Sequence, residues 1–196
     1  GGGLTKLEFE IRTFTNYVNN PSDPLSLSGN RINVILEDEK DTLWVGTAKN
    51  GLNRFNKVTE TFEHFRHAPD DPSSISNTDL FALEEDPDGS IWVGTGMGLN
   101  KFDRLTETFT AFEHNPDDST SLSANHVSAV LIDSEGELWV GTGNGGLLRR
   151  QGGTFKQVTS VDGLLDRSQI LCLRHGRSVD LWIGTDQGLS RLSTTT

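Results

Sequence analysis

A single cysteine, Cys172, excludes a disulfide within the chain and a thiol cluster that could hold a metal. Because it lies between Leu171 and Leu173, we expect its side chain to be a small buried apolar group. No apolar run is as long as a transmembrane helix, and the N-terminus lacks the basic and apolar regions of a secretory signal. We therefore expect no membrane contact by this segment.

Positive charge is also scarce. The 17 Lys and Arg residues stand against 28 Asp and Glu, which gives a formal net charge of −11. The basic residues are spread along the chain, and five of them recur at similar intervals: Lys6, Arg54, Lys101, Arg149 and Arg191. Because phosphate binding draws on clustered cations, this distribution argues against a nucleic-acid partner.

Helix signals are almost absent, and what the chain has in their place is a recurring phrase around its four tryptophans. The copies are Leu43–Thr47, Ile91–Thr95, Leu138–Thr142 and Leu181–Thr185. The tryptophans are 48, 47 and 43 residues apart. A nearly fixed period of this length indicates one structural unit used several times.

Each unit has the pattern of four short antiparallel strands. In the second unit these are Asp79–Glu84, Ile91–Thr95, Leu99–Phe102 and Thr108–His114, separated by turns rich in Gly, Asp and Pro. Four-stranded sheets in tandem predict an all-β fold, a β-propeller whose blades stack about a central channel. The tryptophans then fill the space between neighbouring blades.

The blade boundaries predict a single, partial propeller domain spanning residues 1–196. The units are a half blade at 3–15, complete blades at 31–67, 78–114 and 126–159, and three strands at 168–192. In one alternative, the strand predicted at Phe9–Thr15 completes the last blade and closes a small ring. We favour the other, in which about four blades form a fragment of a larger propeller and the open blade edges allow self-association.

The phrase Ser26–Asp38, followed by Leu43–Thr47 and Gly51–Phe55, resembles the two-component regulator propeller repeat. The loops Asn20–Ser28 and Asn115–Ser123 fit the same pattern. The last unit departs from it, because Leu173–Gly176 replaces the usual Glu-Asp turn.

This resemblance implies a periplasmic sensor domain of a hybrid histidine kinase, which binds a small-molecule or oligosaccharide ligand in signal transduction. The segment itself contains no kinase motif, so we expect a non-enzymatic ligand-binding module with no cofactor. Two alternatives remain, a glycan-processing propeller enzyme of the lyase or sialidase type and a structural scaffold for protein interaction.

Residues that recur in every unit are predicted to be architectural. Asp38, Asp86 and Asp133 end the first strands of successive blades, where we expect turn formation and pairing with a third-strand cation such as Arg54. The turn Asp86–Gly89 resembles a calcium loop but is too short to wrap an ion.

The histidines are the nearest approach to a metal site. His64 and His67 are predicted to lie in one strand, with His114 and His126 elsewhere. We expect no metal there, because Glu63-His64 and Glu113-His114 occupy the same place in successive blades and so reflect duplication. No Gly-x-Ser-x-Gly elbow is present, so no catalytic residue is assigned.

The best candidates for ligand binding are the loop residues that vary while their surroundings repeat. The loops between second and third strands and the entries to first strands meet at one mouth of a propeller channel, where amides and cations suit hydroxyl-rich ligands. The predicted site residues are Arg31, Lys49, Asn50, Asp79, Met97, His126, Asn144, Arg167, Asp186 and Gln187.

Overall fold

The computed structural model describes residues 2–159, 168–176 and 180–193, and every regular element in these ranges is a β-strand. None of the described elements is a helix able to cross a membrane. The strands are β1 Leu4–Glu8, β2 Thr13–Tyr17, β3 Ile32–Glu37, β4 Leu43–Thr47, β5 Leu52–Asn56, β6 Thr61–Phe65, β7 Leu80–Glu85, β8 Ile91–Thr95, β9 Gly98–Asp103, β10 Thr108–Phe112, β11 Val127–Ile132, β12 Leu138–Thr142, β13 Leu147–Gln151, β14 Thr154–Gln157, β15 Ile170–His175, β16 Asp180–Thr185 and β17 Gly188–Ser193.

The strands form five antiparallel sheets in chain order, which confirms the predicted all-β class with four-stranded blades. Blade 1 is β3–β6, blade 2 is β7–β10 and blade 3 is β11–β14, while β15–β17 give blade 4 three described strands. First strands pack on one another in sequence, β3 on β7, β7 on β11 and β11 on β15. They line the inner side of the stack, as in a propeller.

The N-terminal strands β1 and β2 pair with each other, and neither joins the sheet of β17. The structure therefore does not show the closed ring in which an N-terminal strand completes the last blade. The strand predicted at Phe9–Thr15 is also wrong, since β2 begins at Thr13. A Thr-Phe pair starts this strand, just as Thr61-Phe62 starts β6, so residues 9–12 form the turn that precedes it.

Each tryptophan phrase is a middle strand, and in blades 1 to 3 the indole ring packs on the following blade. The Trp44 ring lies 5.4 Å from the Phe102 ring of blade 2. Its indole N–H donates to Asp38 Oδ2 at 2.7 Å. Trp92 and Trp139 donate in the same way to Asp86 and Asp133. These three carboxylates therefore hold the blade tryptophans, in agreement with the predicted architectural role.

In blades 2 and 3 the glycine of the phrase allows the next blade to approach closely. A methyl group on Gly141 would lie 2.4 Å from Ile170 Cγ2, and one on Gly94 would lie 2.9 Å from Val127 Cγ1 and from its carbonyl oxygen. Real Cβ atoms do not approach so near, so glycine permits the packing of one blade's middle strand against the next blade's first strand.

The prediction that Arg54 pairs with Asp38 was wrong, whereas Asp86 does pair with the third-strand cation Lys101, at 3.2 Å. Arg54 pairs with Glu63 and Glu107. Its guanidinium also lies over the ring of Trp44, its cross-strand neighbour. The partner of Asp38 is Arg104 of blade 2, at 2.7 Å. Sequence spacing within one blade could not show this pair because its two residues come from different blades.

Blade 4 exposes the side that faces away from blade 3. Trp182 is 38% exposed, and Cys172 is exposed, which contradicts the prediction that it is buried. Cys172 holds the position that Ala129 occupies in blade 3, where the side chain packs against blade 4. No further blade packs on this side within the described residues, so the same position is open to solvent.

The loops that enter each complete blade also cover that blade's outer edge. The N–H of Phe62 in β6 donates to Leu25 O, and the N–H of Phe109 in β10 donates to Ser73 O. Such covering satisfies the main-chain groups of an edge strand that would otherwise be open to pairing.

The histidines hold these loops in place by hydrogen bonds, but the predicted alignment of His64 with His114 was wrong. His114 aligns with His67 and not with His64, because each lies two residues beyond its fourth strand. His67 Nδ1 bonds Ile75 O at 2.9 Å and His114 Nδ1 bonds Leu122 O at 2.5 Å. His64 Nε2 bonds Ser26 O at 2.7 Å. All three imidazoles therefore have structural partners.

Candidate ligand site at the channel mouth

A repeating set of main-chain hydrogen bonds builds the channel mouth. In blade 1 the Ala48 N–H donates to Arg31 O at 2.9 Å, which joins the loop after β4 to the entry of β3. The Gly51 N–H donates to Thr78 O, which joins the same loop to blade 2 at 2.9 Å. These bonds fix the loop relative to two blade entries at once.

Equivalent bonds recur around the arc. Gly96 N–H donates to Asp79 O, Gly143 N–H donates to His126 O, and Asp186 N–H donates to Gln169 O, at 3.0, 2.8 and 3.1 Å. The main chain is therefore nearly constant from blade to blade, whereas the side chains mounted on it differ.

The entry position of successive blades is occupied by Arg31, Asp79 and His126, as the prediction placed them. In blade 4 the equivalent residue is Gln169, and the predicted Arg167 lies outside the described residues. Arg31 is exposed, while Asp79 and His126 are half-buried. The structure thus lines up a cation, a carboxylate and an imidazole at one level of the channel.

The six other predicted residues lie in the loops between second and third strands, and all six are exposed: Lys49, Asn50, Met97, Asn144, Asp186 and Gln187. Asn50 is placed against Gly29, where any side chain on the glycine would collide with the amide. Asp186 accepts the Gln169 N–H and the Gln187 side-chain amide, both at 3.1 Å. Ligand binding by these residues remains a prediction.

A second ring of variable residues was missed from the sequence. Every first strand has a register shift after its first residue, so the second residue is re-aimed by a β-bulge. In blade 1 this residue is Asn33, which donates to Leu80 O of blade 2 at 2.9 Å. In blade 3 it is Ser128, whose hydroxyl donates to Ile170 O of blade 4 at 2.5 Å.

Blades 2 and 4 carry apolar residues, Phe81 and Leu171, at the same bulge, and these cannot make the cross-blade bond. The Phe81 ring lies 4.6 Å from the His126 ring at 74°, an edge-to-face arrangement. His126 Nε2 is buried without a hydrogen-bond partner. The signal that could have revealed Phe81 is that the second residue of each first strand varies in chemistry.

One cavity lies away from the mouth. It has a volume of about 730 Å³ and lies at the outer rim of blade 1, between Leu25 of the covering loop and Phe62 of β6. Arg54 lines this cavity, and its guanidinium forms ion pairs with Glu63 and Glu107. The positive charge in the cavity is therefore already paired. We therefore keep the mouth as the candidate site.

The described part of the chain has no three His, Cys, Asp or Glu side chains grouped as metal ligands. In the turn Asp86–Gly89, Asp88 accepts hydrogen bonds from Ser90 and from Lys101. Burial by itself would raise the pKa of Asp88, but these bonds and the Lys101 charge lower it well below its usual value. The turn is thus satisfied by the protein's own donors.

The blades, the inner first strands and the mouth define a β-propeller, and comparison with known proteins gives the family. A model of the family described as two component regulator propeller matches residues 26–49, 74–97 and 121–144. The chain therefore carries two component regulator propeller repeats, as the resemblance predicted. No curated protein sequence matches the chain.

Solved structures with the same fold include extracellular domains of two-component systems. That of the hybrid two component system BT3049 from B. thetaiotaomicron has a TM-score of 0.81 and 25% identity, over 99% of this chain and 26% of that one. That of BT4673 from the same organism has a TM-score of 0.77 and 23% identity, over 97% and 24%. The chain thus spans about a quarter of these domains and is a fragment of a larger propeller.

A more distant similarity is to virginiamycin B lyase from Staphylococcus aureus, with a TM-score of 0.62 and 16% identity over 98% of this chain and 63% of that one. At this identity the likeness concerns the fold alone. Extracellular domains of two-component systems and a lyase therefore share the blade architecture, so the fold alone does not define a function.

Proposed function

We propose that the chain is part of the sensory propeller of a two-component signalling protein and that it contributes the channel-mouth side chains to a ligand site. The support comes from the repeats themselves and from the likeness to extracellular domains of hybrid two component systems. The same likeness supports an extracytoplasmic, periplasmic location and an output through a histidine kinase.

The observation that carries the proposal is the contrast between a constant main chain and variable side chains at the mouth. The cross-blade bonds of Gly51 and Gly98 keep each loop in place. The side chains at the loop tips, such as Lys49, Met97 and Asn144, differ completely in chemistry. A main chain that holds different side chains in fixed places at one opening is suited to ligand recognition, since little conformational entropy is lost on binding.

The proposed ligand is a small hydroxyl-rich molecule of the carbohydrate-derived class. Exposed amides at Asn50, Asn144 and Gln187 offer both donors and acceptors, and Lys49 offers a cation. The proposed action is binding without turnover. The lyase likeness does not change this, because it extends to the fold only.

Titration calorimetry of the full-length protein against a panel of oligosaccharides tests the proposal. The double variant Lys49→Ala with Asn144→Ala should weaken binding about tenfold or more, equal to about 1.4 kcal/mol. Val58→Ala is the matched control, because Val58 is exposed at the far end of β5, away from the mouth. It should leave the affinity unchanged.

Product analysis on the same panel separates the alternatives. Cleavage of an oligosaccharide that depends on mouth carboxylates would replace the sensor with a glycan-processing enzyme. An absence of binding across the panel, with partner proteins captured through exposed strand edges, would favour the scaffold.

A further inference from the structure

The molecule repeatedly seats a cation between an aromatic ring and a carboxylate. Lys101 lies 5.2 Å from the Trp92 ring and pairs with Asp86 and Asp88 at 3.2 and 2.6 Å. Arg149 lies 5.4 Å from the Trp139 ring and pairs with Glu137 at 3.2 Å. Ring and carboxylate together attract a cation more strongly than either does alone.

Blade 2 brings another aromatic residue and another acidic residue, Phe81 and Asp79, to the same glycine at the channel mouth. A methyl group on Gly96 would lie 3.8 Å from Phe81 Cε2, 3.9 Å from Asp79 Cβ and 3.5 Å from Asn77 Oδ1. Because position 96 has no side chain, a space with room for one methyl-sized group lies between these three residues.

The polar groups around this space are acceptors. Asn77 Oδ1 takes the Asp79 N–H at 2.8 Å and keeps a second lone pair. Within the described residues, no hydrogen bond or ion pair reaches the Asp79 carboxylate.

We propose that Asp79, Asn77 and Phe81 form a seat for a cationic ammonium or guanidinium group of the ligand. The carboxylate and the amide oxygen accept its N–H donors, and the Phe81 ring covers its charge. The inference rests on the proposed function in one respect: the seat belongs to the same mouth, and it gives the ligand a positively charged group that hydroxyl recognition alone would not require.

The direct test measures binding of n-butylamine, which is protonated at neutral pH, and of the uncharged n-butanol to the full-length protein by NMR. The amine should bind about tenfold or more tightly than the alcohol. Asp79→Asn should abolish this difference, because it removes the charge and keeps the side-chain shape. Asp79→Glu should restore part of it.

A steric variant tests the same seat without changing charge. Gly96→Ala places a methyl group into the open space at ordinary contact distances, so the fold should be kept while amine binding falls about tenfold. Asp117→Asn is the control for charge, since Asp117 is exposed in the loop before β11, away from the mouth. It should bind the amine as the unmodified protein does.

The outcomes separate this inference from the proposed function. If an oligosaccharide binds the mouth while butylamine binds no better than butanol, the cation seat is wrong and the sensor proposal stands. If butylamine selectivity survives Asp79→Asn or Gly96→Ala, the amine binds elsewhere and the seat is wrong. Selective amine binding lost in both variants, with no oligosaccharide bound, supports the seat and refutes the hydroxyl-rich ligand.

Discussion

Arg104 and Asp38 form an ion pair across the interface of blades 1 and 2, with Nη2 2.7 Å from Oδ2. The Asp38 side chain is fully buried and that of Arg104 is 14% exposed. Asp38 also accepts the Trp44 indole N–H, and the Arg104 guanidinium lies 5.6 Å from the Trp44 ring. One carboxylate therefore joins the tryptophan of its own blade to the cation of the next.

Removal of the cation should be costly because it leaves a buried charge. Arg104→Met is expected to lower the free energy of unfolding by about 3–5 kcal/mol, measured by urea denaturation. The exposed pair of Lys6 and Glu8 provides the control, and Lys6→Met should change stability far less than Arg104→Met does. Similar small losses in both variants would contradict the role given to Arg104.

Acid should weaken the same interface. Burial alone would raise the pKa of Asp38, but hydrogen bonds from Thr42 and Trp44 and the charge of Arg104 outweigh it, and the pKa is lowered. A lowered folded-state pKa contributes stability above the unfolded value of about 4, and this is lost as the pH falls through the folded-state pKa. Asp38→Asn should flatten this part of the stability profile, and an unchanged acid slope would be inconsistent with it.

Glu84 should show the opposite behaviour. Burial raises its pKa, although its Oε1 accepts the Ile132 N–H of blade 3 at 3.1 Å. A raised folded-state pKa means that its stability contribution is fully present below the unfolded value and is lost as the pH rises through the folded one.

Glu84→Gln keeps an acceptor for Ile132 and removes a half-buried charge. Thermal unfolding should therefore occur at higher temperature than in the unmodified protein at neutral pH, with the difference shrinking as the pH is lowered. A variant that is less stable at neutral pH would show that the charge itself is favourable, through Arg174 and His175.

The period of the tryptophan phrase was enough to predict the blades, because that phrase is a middle strand in every unit and its tryptophan is buried in blades 1 to 3. The predicted alignment of the histidines was wrong, because it relied on a Glu-His pair whose place in the blade is less constrained. Glu63-His64 and Glu113-His114 look alike, but the start of the fourth strand is marked by the buried Phe62 and its equivalents, which set the register.

The partners in contacts between blades could not be predicted from the sequence, for a different reason. Arg104 lies in a hairpin turn, and nothing local to it points to Asp38, 66 residues earlier in the chain. At the mouth, loop variability predicted the entry residues Arg31, Asp79 and His126. It did not predict Phe81, because this residue departs from the regular alternation of strand side chains only through the bulge in β7, which the sequence does not show.

The alignment of His114 with His67 suggests a substitution, because the N-terminal sheet has an asparagine at the same position. His114 and His67 bond the carbonyl eight residues ahead, and Asn19 does the same at the N-terminal sheet through its Nδ2 to Leu27 O at 2.8 Å. His114→Asn should therefore be nearly neutral, while His114→Ala should cost about 1 kcal/mol in the free energy of unfolding. Equal losses for the two variants, measured by urea denaturation, would show that the hydrogen bond is not what the position requires.

Two glycines of blade 2, only two residues apart, should respond very differently to alanine. Gly94 faces Val127 of blade 3, and an added methyl group would lie 2.9 Å from both its side chain and its carbonyl oxygen. Because backbone cannot move aside cheaply, Gly94→Ala should lower the free energy of unfolding by about 1–3 kcal/mol. Gly96→Ala meets nothing nearer than 3.5 Å and should leave stability within about 0.5 kcal/mol. Denaturation of both variants under one set of conditions decides the matter, since equal losses would mean that blade contact is not the reason for glycine in the repeated phrase.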